Sequence, residues 1–563
     1  MPHQRFLWRY PTSVPEDVQN DLDTFSPAIQ SVLYQRGINT LEDALSFLLP
    51  KAPGWYSNIN LLHVEKACQL ILDSIQDKEV IAVYGDYDAD GITSTALVTL
   101  ALREIGAIVI PYIPDRQNEG YGLNTAAIKS LSEQGTSLLI TVDNGIRSLE
   151  EVACANSHEM KVIITDHHTP GNELPPAAAL LNPKLPDDPY PNKNLAGVGV
   201  AYKLICALSE RVSRLNPDDY LDLVAIGTVA DIVPLNGENR YLVRRGLSKI
   251  KIKNRQSIQS LLSVSGIMNR TINASDISYQ IAPRLNSSGR LDSESALTPL
   301  NLLLNSDLDE CSNYAQIIEI HNDKRKSLSR KLETKVENFI LDEIPLPPLL
   351  MVFSSDISIG LAGIAAGFLS RKYNLPAIVG QTGEDTSTAS CRSIPDFNII
   401  KALDSCQELF VHYGGHTLAA GFTIENDKIP QLKEFLVDQA SVQLKDSNRL
   451  PTLEIDAEVS LKDLDRSLYA EIEKLEPTGA GNSLPVFVTN NLKAIKPKRV
   501  GKNSNHLKMV VSDGNISMDT IGFGLGDLIF DLPPEFDLAY HLKINYYLGT
   551  KTLQLQVLDL VPS

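Results

Sequence analysis

The chain has 563 residues, room for about three to five domains, and its 43% hydrophobic and 21% charged content is ordinary globular usage, which excludes a disordered or collagen-like protein. Fifty-one basic against 69 acidic residues give a formal net charge of −18. Taken alone this speaks against a nucleic-acid binder, yet clustered metal-binding carboxylates can coexist with a local basic track.

Residues 14–75 read as helices: Ser26 and Pro27 offer an N-cap followed by proline at the first helical position, and Thr40 to Asp43 resembles a capping box. From Glu79 to Asn182, short β-branched runs (VIAVYG, AIVIPYI, LLITVD, KVIITD, AAALLN) alternate with helix-length segments. That alternation implies a doubly wound α/β sheet of parallel strands. Residues 197–290 are mostly helical in pattern. No glycine or proline occurs between Pro299 and Pro345, so Asn313 to Ile344 can form one long helix, a connector between domains or else a bundle helix. A second α/β unit follows over 349–444, with strands at LLMVF, PAIVG and Thr386 to Arg392 and a helix from Gly360 to Tyr373. Short alternating strands dominate 451–563 and suggest a small β-barrel or sandwich. The expected division is 1–75 helical, 76–300 catalytic, 301–345 connector, 346–448 second α/β domain and 449–563 barrel. No apolar run approaches a membrane span, and MPHQRFLWRYP lacks a secretory plan. Six scattered cysteines (Cys68, Cys154, Cys206, Cys311, Cys391, Cys406) show no CxxC spacing. A cytoplasmic protein without membrane association is expected.

Three groups of acids and imidazoles fall just after strands of the first sheet, where such folds bind ligands. Asp86, Asp88 and Asp90 lie in GDYDADG, Asp143 ends LLITVD, and Asp166, His167 and His168 end KVIITD. Any one such aspartate can be only a helix N-cap; three groups on one sheet edge point to a shared site. Oxygen donors with one or two imidazoles suit Mg²⁺ or Mn²⁺, and two such ions support in-line phosphoryl displacement. Asp231, alone in the apolar run VAIGTVADIV, is costly to bury unless it faces a metal or cation.

In that order, GDYDADG, TVDNG, TDHH and GTVAD resemble the motifs of the DHH phosphoesterase superfamily. PDRQNEGYGL, LAGVGVAYKL, ADIVPLNGENR, APRLNSSGRLD and YGGHTLAAGF extend the resemblance to its RecJ family of single-strand-specific DNA exonucleases, over nearly the whole chain. The resemblance implies a DHH domain, a DHHA1 domain and a C-terminal OB-fold. It implies that Asp143 bridges two ions, that Asp88 helps hold one, and that Asp90, His167 and Asp231 hold the other. Asp86 would support this shell, and His168 would stabilise charge on the scissile phosphate while a water activated by the ions attacks. Arg116, Ser390 and Arg392 would hold the 5′-terminal phosphate of the DNA. The motif Gly414, Gly415 and His416 would close over the substrate, and Arg284 and Arg290 are candidate backbone clamps. Lys493, Lys496, Lys498, Arg499, Lys502 and Lys508, with no acid among them, form a candidate basic track, and Phe487 is the nearest aromatic for stacking. Tyr84 stands where pyrophosphatase relatives have a histidine ligand, which removes a ligand near Asp88. Cys391 stands where relatives have glycine, which would tighten the phosphate pocket.

The implied activity is 5′→3′ digestion of single-stranded DNA to 5′-mononucleotides, in recombinational and mismatch repair. The resemblance also implies a monomer working with single-strand binding protein and a RecQ-type helicase. Two other readings stay open: a DHH phosphodiesterase on short oligonucleotides or cyclic dinucleotides, and an inactive scaffold, which would lack ligands that this chain retains.

Overall fold

The computed structural model describes residues 5–52, 60–115, 119, 122–252, 255–291, 297–341, 345–445, 450–547 and 550–563. Its first sheet has five parallel strands, in spatial order Ile108–Tyr112, Val80–Tyr84, Thr136–Val142, Lys161–Thr165, Ala179–Leu181. Both faces are covered, as continuous Val/Ile/Leu runs require. Ala82, Leu139, Val162 and Ile164 pack on helices Thr125–Glu133 and Leu149–Ser157, while the alternate residues Ile81, Val83, Ile140 and Ile163 are equally buried. The order reverses between Val80–Tyr84 and Thr136–Val142, and the carboxyl ends at such a switch point line the ligand crevice.

Helix Leu308–Leu341 runs for 34 residues, about 50 Å. Its buried positions fall in one stripe at helical spacing. The first half packs on helices Gln256–Val264, Ala282–Leu291 and Thr298–Leu304. In the second half Leu332, Val336 and Ile340 join the core under helix Ile359–Tyr373 and strand Leu350–Ser354. The second sheet is mixed: Leu350–Ser354 and Ala377–Thr382 are parallel, and Thr386–Arg392, Ala419–Glu425 and Phe410–His416 add antiparallel.

Residues 1–53, 234–241 and 450–563 form a separate compact unit. Strands Phe487–Val500, His506–Ser512, Ser517–Gly522, Thr550–Pro562 and Phe536–Tyr547 close into a barrel, because the first also pairs with the last. Ile29, Val32 and Leu33 of helix Pro27–Gln35 sit in the same core as Phe487, Leu538 and Leu555. The N-terminal helices therefore complete the barrel unit, an association that sequence neighbourhood does not reveal. Arg240 is buried here, stacked 4.1 Å over Phe47 and donating to the carbonyls of Phe47, Lys474, Leu475, Glu476 and Pro477. Among the described residues no helix is long and apolar enough to cross a membrane.

Candidate active site

The segments that follow three strands of the first sheet, together with one helix end, converge. Asp88 caps helix Ala89–Glu104, its Oδ1 accepting from the N–H groups of Asp90 (2.8 Å) and Gly91 (3.1 Å). Asp90, in the first turn, accepts from Gly197 N (2.7 Å) and Val198 N (2.9 Å) at the start of helix Gly197–Ser209. Asp143 has φ +63°, and Asp231 ends helix Leu221–Ala230 before Ile232 at φ +62°. Non-glycine residues rarely occupy that region, and the backbone accepts the cost to turn each carboxylate inward. Ligand atoms of Asp86, Asp88 and Asp143, of Asp90, His167 and Asp231, and of Asp143, His167 and His168 each lie within 4.8 Å of one another.

Three glycines make this crowding possible. A Cβ at Gly197 would lie 2.5 Å from Asp143 Oδ1, one at Gly227 2.7 Å from Asp90 Oδ1, and one at Gly91 2.5 Å from the backbone of Asp86. Only hydrogen fits where two segments approach so closely.

Asp166 differs from the other acids in having a histidine ring among its donors. Oδ1 accepts from His167 N (2.7 Å), His168 N (3.0 Å) and His168 Nδ1 (2.8 Å), and Oδ2 accepts from Ile146 N (3.0 Å). Burial would raise this carboxyl, but the His168 hydrogen bond and charge prevail and hold it at about 2. Burial likewise works against a charged His168, and the bond to Asp166 with the nearby Asp86 and Asp88 overcomes it, raising the ring above its ordinary value. His167 goes the other way: burial, then the His168 charge, pull it to about 3. A neutral imidazole is the form that binds a metal.

The remaining carboxylates repel one another. Burial and Asp88 push Asp90 to about 7, and burial with the neighbouring acids raises Asp143 and Asp231 well above the carboxylate range. Asp143 Oδ1, Asp231 Oδ2 and both His167 ring nitrogens are buried without a hydrogen-bond partner, although His167 Nε2 lies 3.2 Å from Asp143 Oδ1. Buried polar atoms without partners are costly. Converging oxygens and a neutral imidazole, unsatisfied and anionic when ionised, fit hard divalent cations.

A model of the DHH family, N-terminal domain, matches residues 80–228, one of the DHHA1 domain matches 347–442, and one of the RecJ OB domain matches 455–559. The single-stranded-DNA-specific exonuclease RecJ of Bacillus subtilis is 36% identical over 538 residues, 95% of this chain and 68% of that one. The exonuclease of that name from Salmonella typhimurium is 32% identical over 591 residues, spanning 100% of both. The chain belongs to the RecJ family. The crystal structure of RecJ in complex with Mn²⁺ from Thermus thermophilus superimposes with a TM-score of 0.84 at 28% identity, covering 99% of this chain and 80% of that one.

The residues that the RecJ resemblance assigns to DNA fall into three groups. Ser390 and Arg392 share one face of strand Thr386–Arg392, backed by Gly363, whose Cβ would lie 3.1 Å from Arg392 Nη2 and 3.6 Å from Ser390 Oγ. Gly414 and Gly415 pair with Gly421 and Ala420, and at Gly415 (φ +153°) a Cβ would meet Ala419 O at 2.4 Å. His416 is exposed; burial lowers its ring, and the positive fields of His168, Lys184 and Arg147 lower it further, so it stands beside the DHH triplet. Arg116 lies outside the described residues. Arg290 is on helix Ala282–Leu291, and its side chain is outside them too.

Four expectations need correction. Arg284 is no free clamp: it is buried, bound through two nitrogens to Glu319 of the long helix and to Gln280 O. Cys391 points into the core of the second sheet, opposite Ser390 and Arg392, so it cannot tighten their pocket. Phe487 is fully buried in the barrel core, whereas Phe523 and Phe530 are exposed. The basic track is not free of acids, because other segments supply them: Lys493 pairs with Glu535, Arg499 with Asp527 and Lys508 with Asp519. Tyr84 is no ligand either; its hydroxyl donates to Gly122 O (3.0 Å) and accepts from Asn124 (3.1 Å), away from the carboxylates.

The sequence reading gave no role to Asp166, Gly197, Gly227 or Asn182. Asn182 donates to His168 O at 2.8 Å, and so fixes the triplet from its other side. Gly197 and Gly227 stood inside quoted motifs, LAGVGVAYKL and GTVAD.

Proposed function

We propose that the chain is a metal-dependent exonuclease specific for single-stranded DNA that works 5′→3′ and releases 5′-mononucleotides. The observation that carries this reading is the convergence of five aspartates and two histidines on one crevice, with buried ligand atoms that nothing in the protein satisfies. Family membership supplies the substrate class, since the relatives matched end to end are named single-stranded-DNA-specific exonucleases.

Asp143, grouped with Asp86 and Asp88 and 3.2 Å from His167 of the other group, is suited to serve both of two divalent ions, Mn²⁺ or Mg²⁺. Asp88 would support one, Asp90, His167 and Asp231 would hold the other, and Asp86 would support the shell. When bound, such ions lower the pKa of water and stabilise charge on the phosphoryl group. The protein's own residues do the rest. Asp166 keeps a proton on His168 and aims the ring, which donates to the phosphate oxygen as charge develops there. Ser390 and Arg392, with Arg116, receive the terminal 5′ phosphate, a forked contact suited to arginine, and Gly414, Gly415 and His416 close beside it. That end-on recognition is what makes the enzyme start from the 5′ terminus.

We assign the parts as a DHH domain over 76–300, a connector over 301–345, a DHHA1 domain over 346–448 and an OB-like domain over 449–563 that holds the strand. The enzyme acts as a cytoplasmic monomer, with single-strand binding protein and a RecQ-type helicase, in recombinational and mismatch repair. The test is an oligonucleotide labelled separately at each end, incubated with Mn²⁺ and wild type or Asp143→Ala. Immediate release of the 5′ label by wild type alone is expected. First release from the 3′ end overturns the polarity, and an intact strand overturns the nuclease reading.

A further inference from the structure

The centre holds more negative charge than two divalent ions can balance. Asp166 is matched by the His168 ring it holds. The other five carboxylates (Asp86, Asp88, Asp90, Asp143 and Asp231) exceed a pair of such ions by one charge, and an incoming phosphodiester adds another. A substrate anion would therefore approach a net negative surface, unless cations stand beside it.

Two do. Arg147 follows Asp143 by four residues, and its Nε donates to Thr169 O (2.8 Å), the carbonyl directly after the DHH triplet. Lys184 lies on the other flank: its backbone N–H donates to Asn182 Oδ1 (2.9 Å), and Asn182 Nδ2 donates to His168 O (2.8 Å). Arg147 is thus held to the segment that carries His168 by its side chain, and Lys184 by its backbone. Arg147 is exposed, Lys184 is half-buried, and neither makes an ion pair among the described residues. Burial lowers Lys184, while Asp231 and Asp166 pull the other way, so its ammonium stands within their field. The positive fields of His168, Lys184 and Arg147 all reach His416.

We propose that Arg147 and Lys184 form a cationic pair that receives the backbone phosphates of the DNA strand on either side of the DHH triplet. The inference rests on the nuclease reading and deepens it. Arg147 has spent Nε on a carbonyl, which orients the guanidinium and leaves its Nη fork for a phosphate. Lys184, without a carboxylate of its own, offers a point charge where desolvation strengthens each contact. They are positioning residues for substrate, distinct from the metal ligands.

The test uses the full chain and a 5′-phosphorylated oligonucleotide, with Ca²⁺ replacing Mn²⁺ so that the strand is bound and not cut. Affinity is followed by fluorescence anisotropy against KCl concentration. Each phosphate contact to a single strand contributes about 0.7 to the salt slope. Arg147→Gln and Lys184→Gln are each expected to lose about that much slope and about three- to tenfold in affinity, and the double variant twice the slope. Lys184→Arg should keep the slope. Mn²⁺ affinity by titration calorimetry should be unchanged or tighter in Lys184→Gln, since a cation next to the carboxylates opposes the ions. An unchanged slope in both variants overturns the proposal, as does a loss of Mn²⁺ affinity with DNA binding intact, which would make them supports of the metal centre. Cleavage by wild type with Mn²⁺ is read in parallel. If wild type leaves the strand intact, the nuclease reading falls and this one with it; if wild type cuts and the slopes do not move, this inference alone falls.

Discussion

Replacing Asp166 with asparagine is the most informative single change, because this carboxylate meets no other carboxylate and holds the His168 ring, touching His167 only at its backbone N–H. Its carboxylate takes four donors, three on Oδ1 and one on Oδ2. An asparagine that keeps its oxygen toward the three donors turns its NH₂ toward Ile146 N–H, setting donor against donor in a buried site. That costs about 1–3 kcal/mol. The lost charge adds to this. A carboxyl held at about 2 against an ordinary 3.8 stabilises the folded form by about 2 kcal/mol. The sign follows from the depression: the contribution is present above the ordinary value and is lost only as pH falls through about 2, so at neutral pH the variant lacks all of it. His168 loses the partner that does most to raise it, leaving only the nearby Asp86 and Asp88 to oppose burial, so the ring holds its proton less firmly at neutral pH.

Asp166→Asn should therefore lower kcat about 10²- to 10³-fold, the range for losing one donor to developing charge, with KM for a long strand little changed. The residual activity should rise toward acid pH, where the His168 ring recovers its proton. Single-turnover cleavage at saturating Mn²⁺ from pH 5.5 to 9 is the assay. A variant within threefold of wild type across that range would refute the role given to Asp166 and, with it, the donor role of His168.

The metal-free centre has the opposite pH dependence. Asp90, at about 7, and Asp143 and Asp231, well above the carboxylate range, bind protons when folded that the unfolded chain has released. Stability of the metal-free protein should fall as pH rises from about 5 to 8, and Mn²⁺ binding at pH 7 should release protons, measurable as a buffer-dependent heat; no proton release would contradict it. Gly197→Ala puts a Cβ 2.5 Å from Asp143 Oδ1, so Mn²⁺ affinity should fall by about tenfold or more while circular dichroism stays native. Arg240→Met leaves five carbonyls without their donor and should destabilise the barrel unit by about 3–5 kcal/mol in urea unfolding; a loss below about 1 kcal/mol would mean that water replaces the guanidinium.

What the sequence disclosed follows from what a strand end does. Asp86, Asp143 and His167 sit just past strands whose apolar runs are unmistakable, so parallel pairing alone brings them to one edge. Contacts perpendicular to the chain were not legible. Nothing local to Asp166 distinguishes an acid that holds a histidine from one that holds a metal. The second sheet was half-read, since the glycines of YGGHTLAAGF weaken a strand signal and yet form Phe410–His416 and Ala419–Glu425. In the barrel, strand Phe487–Val500 runs through Pro497, with a register shift between Ile495 and Lys498 and Lys496 at φ +50°. A bulge is where a strand tolerates proline.

Net charge misled for a related reason: it counts acids without regard to what each one faces. In the first sheet the surplus carboxylates are buried together, and their repulsion raises Asp143 and Asp231 until divalent ions displace the protons. Those charges therefore belong to the metals and not to the surface that meets DNA. In the barrel unit the reverse holds. A run of six basic residues reads as a continuous track, yet Glu535, Asp527 and Asp519 take half of it, leaving Lys496, Lys498 and Lys502 without an ion pair among the described residues. An anionic strand responds within about 10 Å of the surface at ordinary salt. At that range, a few unpaired cations in the right place outweigh a total of −18 spread over the molecule.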